Sequence, residues 1–107
     1  MNSIPASGPT RAEIESLQEP VLIEFGASWC GYCRAAQPLI ASALSKHPLV
    51  RHIRIEDGKG QRLGRSFGVK LWPTLIFLKD GKEMDRLVRP EASGLIDKAL
   101  ENICKDA

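Results

Sequence analysis

Val21-Leu22-Ile23-Glu24-Phe25-Gly26-Ala27-Ser28-Trp29-Cys30-Gly31-Tyr32-Cys33 opens as an apolar run and ends in two thiols two residues apart. Residues 21–25 are nearly unbroken in their hydrophobicity, which predicts a strand covered on both faces. After Gly31 the periodicity changes. Ala36, Leu39, Ile40, Ala43 and Leu44 fall on one helical stripe that runs to about Lys46. Cys30 is therefore expected at the mouth of a helix, where unpaired backbone N–H groups and the helix dipole favour a thiolate. Cys33 follows about one turn further in, close enough to close a disulfide. The pattern reads as a reversible dithiol/disulfide site. Pro38 lies inside the helix and is expected to bend it.

Outward from this stretch, Thr10 and Glu13 have the spacing of a capping box, predicting a short helix that ends before Pro20. Residues 50–56 read as a strand in which Ile53 and Ile55 alternate with polar residues. Residues 58–67 read as a short irregular helix. Residues 74–79, containing Leu75-Ile76-Phe77-Leu78, read as another buried strand, and Asp80-Gly81 as a hairpin turn. Residues 83–88 return antiparallel with the mixed polarity of an edge, and residues 90–104 form a last helix. The order is α-β-α-β-α-β-β-α. Helices between the early strands imply parallel crossovers. The expected fold is α/β, a four-stranded mixed sheet with helices on both faces. Residues 1–8 are expected to be a flexible arm before one domain over residues 9–107.

Composition narrows the function. A formal charge of +2, scattered along the chain, argues against nucleic acid. No apolar run approaches the roughly 20 residues of a membrane helix. The first five residues show neither a charged nor an apolar leader region, so the expected location is cytoplasmic. Three cysteines are too few, and odd in number, for a disulfide scaffold. A structural zinc half-site is the competing reading of the thiol pair. Only Cys104, His47 and His52 remain as further ligands, none at paired spacing, so no metal is expected.

The element order, together with residues 27–34 (Ala-Ser-Trp-Cys-Gly-Tyr-Cys-Arg), resembles the thioredoxin family. Pro38 falls five residues after the second cysteine, as it does in that family. Trp72-Pro73-Thr74 is similar to its cis-proline segment, and Asp80-Gly81 to its hairpin. The resemblance runs from about Thr10 to the last helix and implies the thioredoxin fold. It implies that Cys30 is the nucleophile and Cys33 the resolving thiol, and that Pro73 is cis. Trp72 N–H and C=O would then meet an extended substrate strand. Glu24 matches a buried acid beneath the second cysteine, implying a proton acceptor for Cys33. As an unpartnered buried carboxylate it is expected to have a raised pKa.

Trp29, Gly31, Tyr32, Trp72, Thr74 and Arg89 are the candidate substrate-binding residues, with Trp29 and Trp72 as an apolar rim. Arg54 sits near a family lysine associated with the buried acid, and Arg34 near one that follows the second cysteine. His47 and His52 are read as structural or exposed, and Cys104 as a half-buried thiol. Three departures stand out. Tyr32 replaces a proline, Gly26 replaces a large aromatic and leaves space beside the thiols, and Arg89-Pro90 brings bulk and charge where the family has a small glycine.

The expected function is therefore reduction of protein disulfides by dithiol–disulfide exchange. No cofactor is bound by the chain. Electrons would come from NADPH through thioredoxin reductase, the partners being that reductase and disulfide-containing proteins, and the chain is read as a monomer. The alternatives are an isomerase or glutathione-coupled enzyme of less reducing potential, and a binding module with little redox role.

Overall fold

The apolar runs form the strands of a computed structural model that describes residues 9–58 and 60–105. The expected arm at residues 1–8 lies outside the described residues. The elements are α1 (Arg11–Glu15), β1 (Val21–Gly26), α2 (Gly31–Leu44), β2 (Arg51–Glu56), α3 (Arg62–Ser66), β3 (Thr74–Lys79), β4 (Lys82–Val88) and α4 (Ser93–Cys104). They build one four-stranded sheet in the order β2-β1-β3-β4. This is the thioredoxin fold, a mixed sheet between helices.

Strand direction corrects one expectation: the connection through α3 is not a parallel crossover. β1 and β2 are parallel across the α2 crossover, whereas β3 runs antiparallel to β1, with Phe25 opposite Thr74. The connection from β2 to β3, residues 57–73, starts and finishes at the same end of the sheet, and its first residue, Asp57, accepts the indole N–H of Trp72 at its other end. That end of the sheet is where β1 delivers Cys30.

Alternation along the central strands divides the core. Val21, Ile23 and Phe25 of β1 pack with Ile76 and Leu78 of β3 under α1 and α3, through Ile14, Leu63 and Phe67. Leu22 of β1 packs with Leu75 and Phe77 of β3 under α2 and α4, through Ala36, Ile40, Ile96 and Leu100. Burying each of these large side chains contributes roughly 1.5–3 kcal/mol. Glu24 shares the parity of Leu22 and so is carried into the α2 face.

Local chemistry closes the ends. Thr10 Oγ1 accepts the Glu13 N–H and Glu13 Oε1 accepts the Thr10 N–H, completing the capping box. In the β3–β4 hairpin Asp80 and Gly81 both have positive φ, 52° and 76°, as a type I′ turn requires. Gly81 also lies directly against the carbonyl of Glu15, where a Cβ has no room.

Candidate active site

Cys30 is the N-cap of α2, with extended backbone (φ −83°, ψ 121°). Its N–H donates to Ala27 O (3.0 Å) and its carbonyl accepts from Arg34 N–H (3.1 Å). Its side chain makes no cap hydrogen bond, which leaves the sulfur free for other chemistry. Cys33 lies on the first turn, and both thiols are free and largely covered, 8% and 4% exposed. Gly31 and Tyr32 between them are exposed.

The α3–β3 loop brings the other half of the site across the sheet. The Trp72–Pro73 peptide is cis. The Cys30 thiol lies 3.9 Å from Trp72 O, placed to donate to it. Trp72 N–H joins no backbone hydrogen bond among the described residues. Its carbonyl is already in use, because Arg89 Nε donates to it at 2.8 Å. Arg89 also covers the ring of Tyr32, 3.8 Å from its centre. Trp29 and Trp72 meet edge to face at 5.4 Å and form a rim, with Trp29 64% exposed. Thr74, a candidate for substrate contact, is buried and its hydroxyl donates to Leu71 O (2.6 Å), so it braces the loop from within.

Beneath the thiols, Glu24 differs from its sequence reading. It is 2% exposed but well partnered. Gln37 Nε2 donates to it at 2.5 Å, His52 Nε2 lies at 2.8 Å, and Arg54 Nε at 3.7 Å. Burial pulls its pKa up, but the bonds to His52 and Gln37 and the charge of Arg54 outweigh burial and hold it below the usual carboxylate value. The expected rise is therefore overturned by partners that lie 13 and 28 residues away in the chain. His52 is accordingly not an idle residue. His47 is also paired, with Asp97 at 2.7 Å, joining the end of α2 to α4. Cys104 is exposed rather than half-buried.

The space that Gly26 leaves is taken by Cys33. A Cβ on Gly26 would stand 2.9 Å from the Cys33 sulfur. A cavity of about 300 Å³ lined by Glu24, Gly26, Cys33 and Arg54 runs beside that sulfur, with volume for water.

The two thiols are driven apart in acidity. Burial raises the pKa of Cys30, but the Cys33 thiol, the nearby Cys33 and Tyr32 N–H groups at the helix mouth and the charge of Arg89 bring it below its usual value. Burial pushes Cys33 up to about 11, with further contributions from Cys30 and from the charge of Glu24. One thiol is prepared as a thiolate and the other as its hydrogen-bond donor.

Asp57 escaped the sequence reading. It is 3% exposed, accepts the Trp72 indole N–H on one oxygen (2.9 Å) and the Gln61 N–H on the other (3.1 Å), and packs directly on Gly64. It fixes the ring behind the cis peptide. A polar residue ending an alternating strand, followed by glycine, is the only signal the sequence carries for it.

Comparison with known proteins agrees with this geometry. A family model described as Thioredoxin matches residues 9–102. A thioredoxin from Chlamydia muridarum is 38% identical over 78 residues, covering 73% of this chain and 72% of that protein. Thioredoxin H-type 1 from Nicotiana tabacum is 38% identical over 68 residues, covering 64% of this chain, and the chain spans only 54% of that relative's length. The solved structure of thioredoxin 2 from Pseudomonas aeruginosa PAO1, in its reduced form, is 50% identical and superposes with a TM-score of 0.82, covering 96% of each chain.

Proposed function

We propose, because this chain belongs to the thioredoxin family, that it is a thiol–disulfide oxidoreductase that reduces protein disulfides through Cys30 and Cys33. The observation that carries the reading is the divergence of the two thiols beside the cis-proline loop, Cys30 lowered and Cys33 raised to about 11. Residues 9–107 act as one domain in this reading, a view supported by the family match over residues 9–102.

The Cys30 thiolate attacks one sulfur of a substrate disulfide. The Cys30–substrate bond forms, the substrate S–S bond breaks, and the departing sulfur takes a proton. Cys33 then loses its proton and attacks the Cys30 sulfur. The Cys30–Cys33 bond forms, the Cys30–substrate bond breaks, the second substrate sulfur leaves and takes a proton, and two electrons have passed from the protein to the substrate. In the mixed disulfide Cys30 carries no negative charge, so one of the causes raising Cys33 is gone. Glu24 is the proton acceptor, reached through water in the cavity it shares with Cys33. Trp29, Gly31, Tyr32 and Trp72 present the surface on which the substrate strand lies. No cofactor is required in the chain. Electrons are returned from NADPH by a thioredoxin reductase, a supply that fits a cytoplasmic setting.

A second reading is favoured by Arg89. Its charge stabilises the Cys30 thiolate, and a stabilised reduced form makes a dithiol a weaker reductant. An isomerase or glutathione-coupled enzyme follows from that. Equilibration against glutathione buffers, followed by tryptophan fluorescence, separates the two. A midpoint near about −270 mV supports the reductase and one between about −180 and −120 mV the alternative. A protein that forms no Cys30–Cys33 disulfide at any poise leaves the binding-module reading. With Cys33→Ser, mixed disulfides with substrate proteins should accumulate on Cys30 and vanish when Cys30 is also Ser.

A further inference from the structure

Arg89 follows the last residue of β4 and adopts φ +52°, a left-handed conformation that favours glycine. Its backbone N–H donates to Pro73 O at 3.0 Å and its Nε to Trp72 O at 2.8 Å. The flat face of the guanidinium lies on Tyr32, within the thiol motif itself. One edge and one face of the group are thus committed to the site. No ion pair or hydrogen bond among the described residues engages its two terminal amino groups. Asp57, the buried acid nearby in the same loop system, is spent on Trp72 and Gln61. A guanidinium held in this way is already oriented, and the groups left over are those that grip a carboxylate in a bidentate pair. Little ordering cost remains to be met when the partner arrives.

We propose that Arg89 is a specificity-determining residue that selects protein disulfides flanked by an aspartate or glutamate side chain. The substrate carboxylate pairs with the free edge of Arg89 while the adjacent substrate sulfur faces Cys30. This inference rests on the dithiol reading above and adds to it the class of disulfide preferred. The charge of Arg89 also acts on Cys30, but that influence is common to every substrate. A ratio of rates for two substrates cancels it and retains only what Arg89 reads on the substrate.

The test uses two peptides, each closed by one intramolecular disulfide and identical but for Glu or Lys at the two positions beside the cysteine. Reduced protein is mixed with each in stopped flow, and the disulfide formed at Cys30–Cys33 is followed by tryptophan fluorescence. The wild type should reduce the Glu peptide about tenfold faster than the Lys peptide at low salt, with the ratio shrinking as ionic strength rises. Arg89→Gln should bring the ratio near one, Arg89→Glu should invert it, and Arg89→Lys, which keeps charge but loses the fork, should retain part of it. Because all three variants place a non-glycine residue at the same backbone angle, circular dichroism should show them folded. An unchanged ratio in Arg89→Gln overturns the proposal while leaving the dithiol reading intact. A wild type that reduces neither peptide overturns the dithiol reading, and this inference with it.

Discussion

Replacing Asp57 with Asn should detach the Trp72 indole from the core. Asp57 is 3% exposed, and each of its oxygens accepts one N–H, from Gln61 at 3.1 Å and Trp72 at 2.9 Å. Hydrogen bonds to a charged group contribute about 1.5–3 kcal/mol each. Asn keeps one accepting oxygen and turns an NH2 group toward the other donor. One bond is lost and two donors face each other without room to relax, because Gly64 packs directly on the carboxylate. Relief of the buried charge offsets part of this. A net loss of about 2–3 kcal/mol corresponds to a fall in Tm of roughly 10–20 °C for a domain of this size. Thermal unfolding followed by circular dichroism reads the single effect. A double-mutant cycle with Trp72→Phe reads the contact itself, and the coupling should be about 1–2 kcal/mol. A coupling below about 0.3 kcal/mol would show that Asp57 and Trp72 are independent and that the anchoring argument is wrong.

Other outcomes follow from the same geometry. Gly81→Ala pairs a φ of +76° with a Cβ placed against Glu15 O, so it should cost more than the roughly 1–3 kcal/mol of a strained backbone alone, measured by urea denaturation. The folded-state pKa of Glu24 lies below its ordinary value of 4.5, so its stabilisation is complete above that pH and is lost as pH falls through the lower folded value. The stability gap between wild type and Glu24→Gln should therefore narrow as pH falls below 4.5, and a gap that stays constant would refute the assignment. Thiolate absorbance should titrate Cys30 below the usual cysteine value in the reduced wild type and Cys33 near about 11, and the reverse order would exchange their roles.

Legibility in the sequence followed the range of the forces involved. The capping box at Thr10 and Glu13, the buried runs of β1 and β3 and the Asp80-Gly81 turn are decided by neighbours, and each is plain from the residues alone. The thiol pair at a helix mouth is equally local. The partners of Glu24 were hidden because Gln37 and His52 reach it from a helix and another strand. Strand alternation carries part of this arrangement. His52 and Arg54 share the face opposite Ile53 and Ile55, and parallel pairing sets Arg54 beside Glu24. Asp57 could not be found that way, since its burial depends on a tryptophan 15 residues further on. The direction of β3 was hidden for the same reason, because the tie between Asp57 and Trp72 that closes the β2–β3 connection is long-range.

The pairing of Phe25 with Thr74 has a consequence for robustness. Cys30 and Pro73 are attached to the same end of two adjacent strands, so the register between those strands is the spacer that sets sulfur against carbonyl. A slip of one residue would displace the cis-proline loop by about 3.3 Å and turn the displaced strand's alternate side chains to the opposite face. Both faces of the pair are locked by apolar side chains, and the spacer is therefore as stiff as the core is tight. Damage to packing far from the thiols, at Leu22 or Phe77, should register as a change in reactivity before the fold is lost.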